Sequence, residues 1–395
     1  MAERWTVFRN VLLCLAALGG LGGAPTAVAQ GSADATNTST SAATATATAA
    51  ASAPATATLR AEPRRAPAAI QVPRLQGRLR SRDLGLVINT SDPYSEAVGR
   101  HYIQARGLAP EQVLRLVLPV RGSLTRAEFE ALQLAIAQHF GASTQALALA
   151  WVAPYAVECN AITGALALGF DAELCRQSCA ASRPSRYFNT ATARPMAELS
   201  LRPSMLLAAP SVEQAVALID RGVAADGSLL LRGRSPVNAM MLTTADPARN
   251  VRAAIYPAPM LMRGPGVELQ VAPAADFWTY KRVLMALTGS VKVPLAVQPD
   301  WVDGALADHL TSTGGDLLGA HGQSTALEWI ASGATASHGT VSEPCNHLQK
   351  FPHPQVLLLH YLQGSTALEA YWKSVLWPQQ SLFIGEPLAA PFARP

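Results

Sequence analysis

The chain has 395 residues and 31 Lys and Arg against 27 Asp and Glu, a net charge of +4. That excess is too small for a nucleic-acid partner, whose phosphates demand a basic stripe, and no aromatic residues interleave with the arginines as a stacking surface would require. At 49% apolar and 15% charged residues the chain can bury a large core, which excludes a wholly disordered protein.

The N-terminus reads as an export signal. Arg4 and Arg9 precede an apolar run over residues 11–21, and Ala27-Val-Ala29 before Gln30 has the small-x-small form of a cleavage site, so residues 1–29 are expected to be removed. The run is shorter than the roughly 20 residues of a spanning helix, and no later run supplies one, so no transmembrane segment is expected after cleavage. Residues 30–82 form an expected linker, almost wholly Ala, Ser and Thr to about residue 58 and then Arg- and Pro-rich, with seven arginines between Arg60 and Arg82. With only four lysines in the chain, Lys281, Lys292, Lys350 and Lys373, arginine is its default base and this stretch needs no special partner.

Residues 83–395 read as one α/β domain. Residues 84–89 are a continuous apolar run ending in a turn, as in a strand buried on both faces. Ser91-Asp92-Pro93 starts a helix to Ala105 that Gly107 stops. A strand over 113–118, a helix over 125–140 with a Thr125/Glu128 capping box, and a strand over 146–152 complete a βαβαβ opening, which predicts a mostly parallel sheet with helices on both faces. Further strands are expected at 239–243, 293–297, 334–341 and 381–384, and helices at 212–223, 276–287, 323–332 and 366–375; no internal repeat is visible.

Ligands of such sheets gather outside the carboxyl ends of the strands, which singles out Asn89, Thr90 and Asp92, Pro154-Tyr155, and residues 343–347. Asn89-Thr-Ser-Asp92 lacks the glycines of a Rossmann turn or a P-loop, so no nucleotide cofactor is expected and an ordinary helix cap explains it better. Apart from Cys14 in the leader, the cysteines are Cys159, Cys175, Cys179 and Cys345, an even number in an oxidising compartment. The expectation is a disulfide from Cys159 to Cys175 or Cys179. A second reading makes Cys345 a thiol nucleophile served by His309 or His338; it needs a thiolate, a base and oxyanion donors. A third assembles a zinc site from Cys345, His338, His347 and His353, whose residue types suit the metal and whose spacing matches no structural zinc motif. Each group also has a plain structural role open to it: Asp308-His309 can brace a strand end and Glu343-Pro344 can shape a turn.

The runs Asp308-His-Leu-Thr-Ser312, Gly339-Thr-Val-Ser-Glu-Pro-Cys-Asn-His347, Lys350-Phe-Pro352, Glu369-Ala-Tyr-Trp-Lys-Ser-Val375 and Phe383-Ile-Gly-Glu-Pro-Leu388 resemble those of a family of exported bacterial proteins. So do Asn89-Thr-Ser-Asp-Pro-Tyr-Ser95, Arg106-Gly-Leu108, Arg202-Pro-Ser-Met205, residues 218–226 and Arg249-Asn-Val-Arg252. That family is noted for occurring in species with an exosortase protein-sorting system and has no established activity to carry over. A more distant likeness is to gingipain-like cysteine peptidases of caspase-like core. There, one strand ends in a Gly-His-Gly motif and a later strand at the catalytic cysteine, followed by a helix and a Gly-Ala strand. In this chain Gly333-Ala-Thr335, Gly364-Ser-Thr-Ala-Leu-Glu-Ala370 and Gly385-Glu-Pro387 are similar to the later elements. Thr288-Gly289-Ser290 stands in the histidine's place and Leu310-Thr-Ser-Thr313 in the cysteine's.

With the export signal, the resemblance implies a periplasmic or secreted domain of caspase-like three-layer architecture, a degenerate relative that binds or scaffolds an envelope protein or polysaccharide rather than a working peptidase. Its expected cleft is lined by Asn89, Asp92, Asp308, His309, Ser312 and Glu343. The alternatives are a cysteine-dependent hydrolase using Cys345 with His309 or His338, and a metal-binding domain.

Overall fold

The computed structural model describes residues 77–230, 235–293, 295, 298–319 and 321–394. The expected signal peptide and the linker up to residue 76 lie outside the described residues. The linker's last residues, 77–82, already belong to the domain: Leu79 is fully buried and its amide donates to Glu369 Oε2 at 3.3 Å.

The apolar run that opens the domain becomes β1 (Leu84–Asn89), buried along its whole length because parallel strands flank it on both sides. These are β2 (Val113–Leu116) and β4 (Ala146–Leu149). A short β3 (Ser123–Leu124) pairs instead with β5 (Ala156–Val157), which pairs with β6 (Asn160–Ala161), as a separate three-stranded sheet. The main sheet continues with β7 (Ser204–Leu206), β8 (Val237–Thr243), β9 (Met260–Met262), β10 (Val267–Pro273), β11 (Val283–Gly289), β12 (Trp301–Leu310), β13 (Ala336–Thr340) and β14 (Ser381–Gly385). Its eleven strands lie in the order β2-β1-β4-β7-β14-β13-β12-β11-β8-β10-β9, mostly parallel. β9 is antiparallel to β10, and β14 is antiparallel to β13.

The expectation of no repeat misses a property of the topology. Within β2-β1-β4-β7 the first strand in the chain lies between the second and the third, and β10-β8-β11-β12 repeats that arrangement. The two units share no sequence period, because a parallel strand needs only an apolar run, which many sequences supply.

Helices cover both faces. Ile88 of β1 packs toward Gly99 of α1 (Pro93–Arg106), where an added Cβ would come within 2.5 Å of the Ile88 side chain. Gly85, three residues earlier and so on the opposite face, lies against Phe140 at the end of α2 (Arg126–His139). Asp92 caps α1 through Tyr94 N at 3.0 Å, and Thr125 and Glu128 close the expected capping box on α2. The remaining helices are α3 (Ile162–Leu168), α4 (Glu173–Arg176), α5 (Pro195–Leu199), α6 (Val212–Ala225), α7 (Ala326–Ala331), α8 (Pro354–Gln363) and α9 (Ala367–Ser374).

Two expectations fail. Residues 276–287 are not a helix: a 3-10 turn over Ala274–Thr279 leads into β11, whose seven residues are all buried. A short apolar run fits a buried helix or a buried strand equally, and two parallel neighbours decide for the strand. Of the strand expected at 293–297, the described Val293 and Leu295 lie outside any strand. Several elements carry no expectation from the sequence, among them β12, whose Asp303, Gly304, Asp308 and His309 disguise it, and α8, whose Pro354 start and Gly364 stop are visible signals.

Two disulfides hold the loops of this edge. Cys159 pairs with Cys175, one of the two expected connections, and Cys179 pairs with Cys345, each with Cα atoms 5.2 Å apart. They join 16 and 166 residues of separation, so the second restricts the unfolded chain more. Non-reducing peptide mapping should recover these two pairs. The double replacement Cys179→Ala/Cys345→Ala should lower the unfolding free energy by about 2–5 kcal/mol in denaturant titrations.

Candidate functional site

The expected catalytic positions meet at the carboxyl edge of β11 and β12. These adjacent parallel strands set Thr288 opposite His309 and Gly289 opposite Leu310. Gly289 is required there because a Cβ would fall 1.9 Å from the carbonyl oxygen of Arg249. Beyond β12, Gln323 Oε1 accepts from Thr311 Oγ1 at 2.5 Å and from the amides of Ser312 and Thr313 at 3.1 and 3.3 Å. Arg249 donates to Thr311 Oγ1 at 3.2 Å and pairs with Asp246 at 2.9 Å. The amides that could receive an oxyanion after β12 are thus occupied by a side-chain carbonyl.

His309 does not face this edge as a base. It is fully buried, its Nδ1 accepts from Trp329 Nε1 at 3.0 Å, and its Nε2 donates to the Ser324 carbonyl at 2.9 Å. Both ring nitrogens are committed in a neutral ring, and burial lowers its pKa to about 4. Asp308, the neighbouring residue on the other face of β12, forms an ion pair with Arg252 at 2.5 Å, both side chains buried. Arg252 also donates to the Thr288 carbonyl at 2.7 Å, so it ties β12 to the end of β11. Burial pushes the Asp308 carboxyl up against the opposing pull of Arg252.

His338 is buried between the rings of Phe351 and Phe383, with centroids 5.9 and 5.4 Å away, and neither ring nitrogen has a hydrogen-bond partner among the described residues. Burial holds its pKa well below the usual imidazole value. The pairing of Leu306 with Ala336 places His338 on the face of Asp308 and opposite to that of His309.

Cys345 is corrected from nucleophile to cystine. Its sulfur is bonded to Cys179, and it and Asn346 sit in left-handed turns with φ of 57° and 58°. Glu343 Oε1 accepts the Cys345 amide at 2.7 Å, so Glu343-Pro344 shapes this turn. The zinc candidates do not converge either. Cys345 is bonded to sulfur, His338 is enclosed by phenylalanines, His347 stacks edgewise on Trp377, and His353 precedes α8 with its amide on the Ser374 carbonyl. Among the described residues no group of three or more His, Cys, Asp or Glu is placed to hold a metal.

Asn89 and Asp92 are brought to the same edge and stay apart from β12. Asn89 is buried and its side chain exchanges hydrogen bonds with the backbone of Leu118 and accepts from Ser91 N, while Asp92 caps α1. β1 lies five strand positions from β12, about 24 Å at the usual strand spacing, so no single cleft includes Asn89, Asp92, Asp308, His309 and Glu343. Tyr155 is the expected edge residue that does reach across: its hydroxyl donates to Asp316 Oδ1, and His321 Nε2 lies 3.2 Å from Asp316 Oδ2.

Arg252, Gln323 and Trp329 carry the local chemistry and were not singled out from sequence. Arg249-Asn-Val-Arg252 is one of the runs that resemble the exported family, a signal without an assigned role. Compared with known proteins, the chain matches no family model, no curated protein and no solved structure.

Removing one charge of the Arg252–Asp308 pair should be costly because the other stays buried. Asp308→Asn is expected to cost about 3–5 kcal/mol, and the double change Asp308→Leu/Arg252→Met to recover much of it, in chemical denaturation. His309 gives a pH signature. Its folded pKa, about 4, lies below the unfolded value near 6.5, so the unfolded state binds the extra proton and stability is lost as pH falls from about 6.5 to about 4. The loss from this residue is about 3 kcal/mol, and His309→Asn should flatten the stability profile across that window.

Proposed function

We propose that this chain is an exported, non-catalytic binding or scaffold protein of caspase-like architecture, acting on an envelope protein or polysaccharide in bacteria with exosortase-type sorting. The observation that carries the reading is the state of the two adjacent strand ends. By the gingipain-like likeness, Thr288 and Thr311-Ser312 stand in the places of base and nucleophile, Gln323 occupies the neighbouring amides, and His309 is engaged inside the core.

The order of elements supports the architecture. Strand β11 ends at Thr288-Gly289, strand β12 at Leu310, and helix α7 and strand β13 follow, with Gly333-Ala-Thr335 leading into β13. The Gly364–Ala370 run starts α9, and Gly385-Glu-Pro387 closes β14, as the gingipain-like likeness implies. The charged residues of the resemblance runs also act as internal braces. Arg106 makes bonds of 3.0 and 2.6 Å to Glu386 and a third to Asp226, Arg252 meets Asp308, and Arg202 bonds the carbonyls that end α2. Such runs maintain a scaffold and need no reaction to explain them. Two disulfides suit a periplasmic or secreted location, and among the described residues no helix is long and apolar enough to cross a membrane.

The purified exported protein, tried on a broad peptide library and with a thiol-reactive peptide inhibitor, should show neither turnover nor labelling. Turnover that disappears in Ser312→Ala or Cys345→Ala, with the circular dichroism spectrum unchanged, overturns the proposal.

A further inference from the structure

Between the ends of β8 and β11 lies a cavity of about 500 Å³. Its wall is aromatic: Phe277 and Trp278 stand with ring centroids 5.2 Å apart, and Trp329 meets Phe277 edge-on at 6.5 Å. The Trp329 ring is held in place by its bond to His309. Thr288, 2% exposed, is a lining residue whose buried hydroxyl has no hydrogen-bond partner among the described residues. Ser290 donates to the Lys292 carbonyl, which leaves the lone pairs of its own oxygen open. Lys292, an exposed lining residue, pairs with no carboxylate among the described residues, and no acidic residue is among those lining the space.

We infer that this cavity is a ligand site for a small molecule or chain end with a ring-sized apolar body and an anionic group, the body against Phe277, Trp278 and Trp329 and the charge toward Lys292. Three independent features converge. β8 and β11 flank the point where strand order reverses in the second unit, β10-β8-β11-β12, and ligands of open α/β sheets bind at such switch points. The volume and the apolar lining with few polar groups match small-molecule sites. A buried hydroxyl without a partner is costly, and a ligand acceptor at Thr288 satisfies it. The site deepens the binding-protein reading by naming a ligand class, and it rests on that reading only in requiring no reaction there.

The test uses two fluorescent probes with one apolar framework, 1-anilinonaphthalene-8-sulfonate and the uncharged N-phenyl-1-naphthylamine, titrated into the full exported protein. Both should bind saturably at one site, and Ala275→Trp, which adds bulk at an exposed lining residue, should abolish both. Lys292→Gln should weaken the sulfonate probe about two- to fivefold, the worth of one exposed charge contact, and leave the neutral probe unchanged. Absent saturable binding in the native protein, or binding retained by Ala275→Trp with near-ultraviolet circular dichroism preserved, overturns the site. Equal responses of the two probes to Lys292→Gln overturn the anionic specificity. Turnover on peptides bears on the catalytic question alone, so failure of either reading is seen separately.

Discussion

The main sheet is one sheet because its last strand lies in the middle. β14 sits between β7 of the first unit and β13, which pairs with β12 of the second, so β14 and β13 together join the two four-strand arrangements. Glu386, immediately after β14, is fully buried and accepts from Tyr102 at 2.8 Å and from Arg106 at two positions. Arg106 ends α1, and Gly222 of α6 approaches Glu386 so closely that a Cβ would lie 2.5 Å from its side chain. A buried carboxylate with a bidentate guanidinium is a costly device whose partners must all be present, so it fixes where the C-terminal segment docks. Asp226 extends the same brace to the amide of Ala390 at 3.1 Å.

The Arg252–Asp308 pair does for the second unit what Glu386 does for the junction. Each introduces charge into a region where apolar residues would pack more cheaply, and each links elements distant in sequence. Around the strand ends Asp308 is held by its ion pair with Arg252, both ring nitrogens of His309 are engaged, and Gln323 takes up the Thr311 hydroxyl and the amides of Ser312 and Thr313. One strand over, the Thr288 hydroxyl has no hydrogen-bond partner and Lys292 no carboxylate partner among the described residues. A general base must be free to take a proton, and His309, with both ring nitrogens engaged, is not.

Local signals were legible in the sequence wherever one residue acts on its own neighbourhood. Asp92 at the start of α1, Thr125 with Glu128 at α2, and the apolar runs of β1, β8, β13 and β14 all took the expected roles. Signals failed where a distant partner decides the outcome. Asp308 and His309 looked like a site because nothing nearby reveals that Arg252 and Trp329 neutralise and enclose them. Cys345 looked like a nucleophile because its partner Cys179 is 166 residues away. The 276–287 stretch was read as a helix because apolar content does not report the two parallel neighbours that make its second half a strand.

The cysteine pairing also sets an order of events for a chain that emerges from its N-terminus. Cys159, Cys175 and Cys179 become available together, long before Cys345, and only Cys159–Cys175 joins two of them in the finished protein. An oxidase acting during emergence therefore faces three competing thiols with one correct choice, and the excess thiol must stay reduced until the C-terminal region arrives. Thiol–disulfide exchange repairs a wrong early bond. Closure of the Cys179–Cys345 bond accordingly waits for the C-terminal residues, whatever pairs form among the first three cysteines before them.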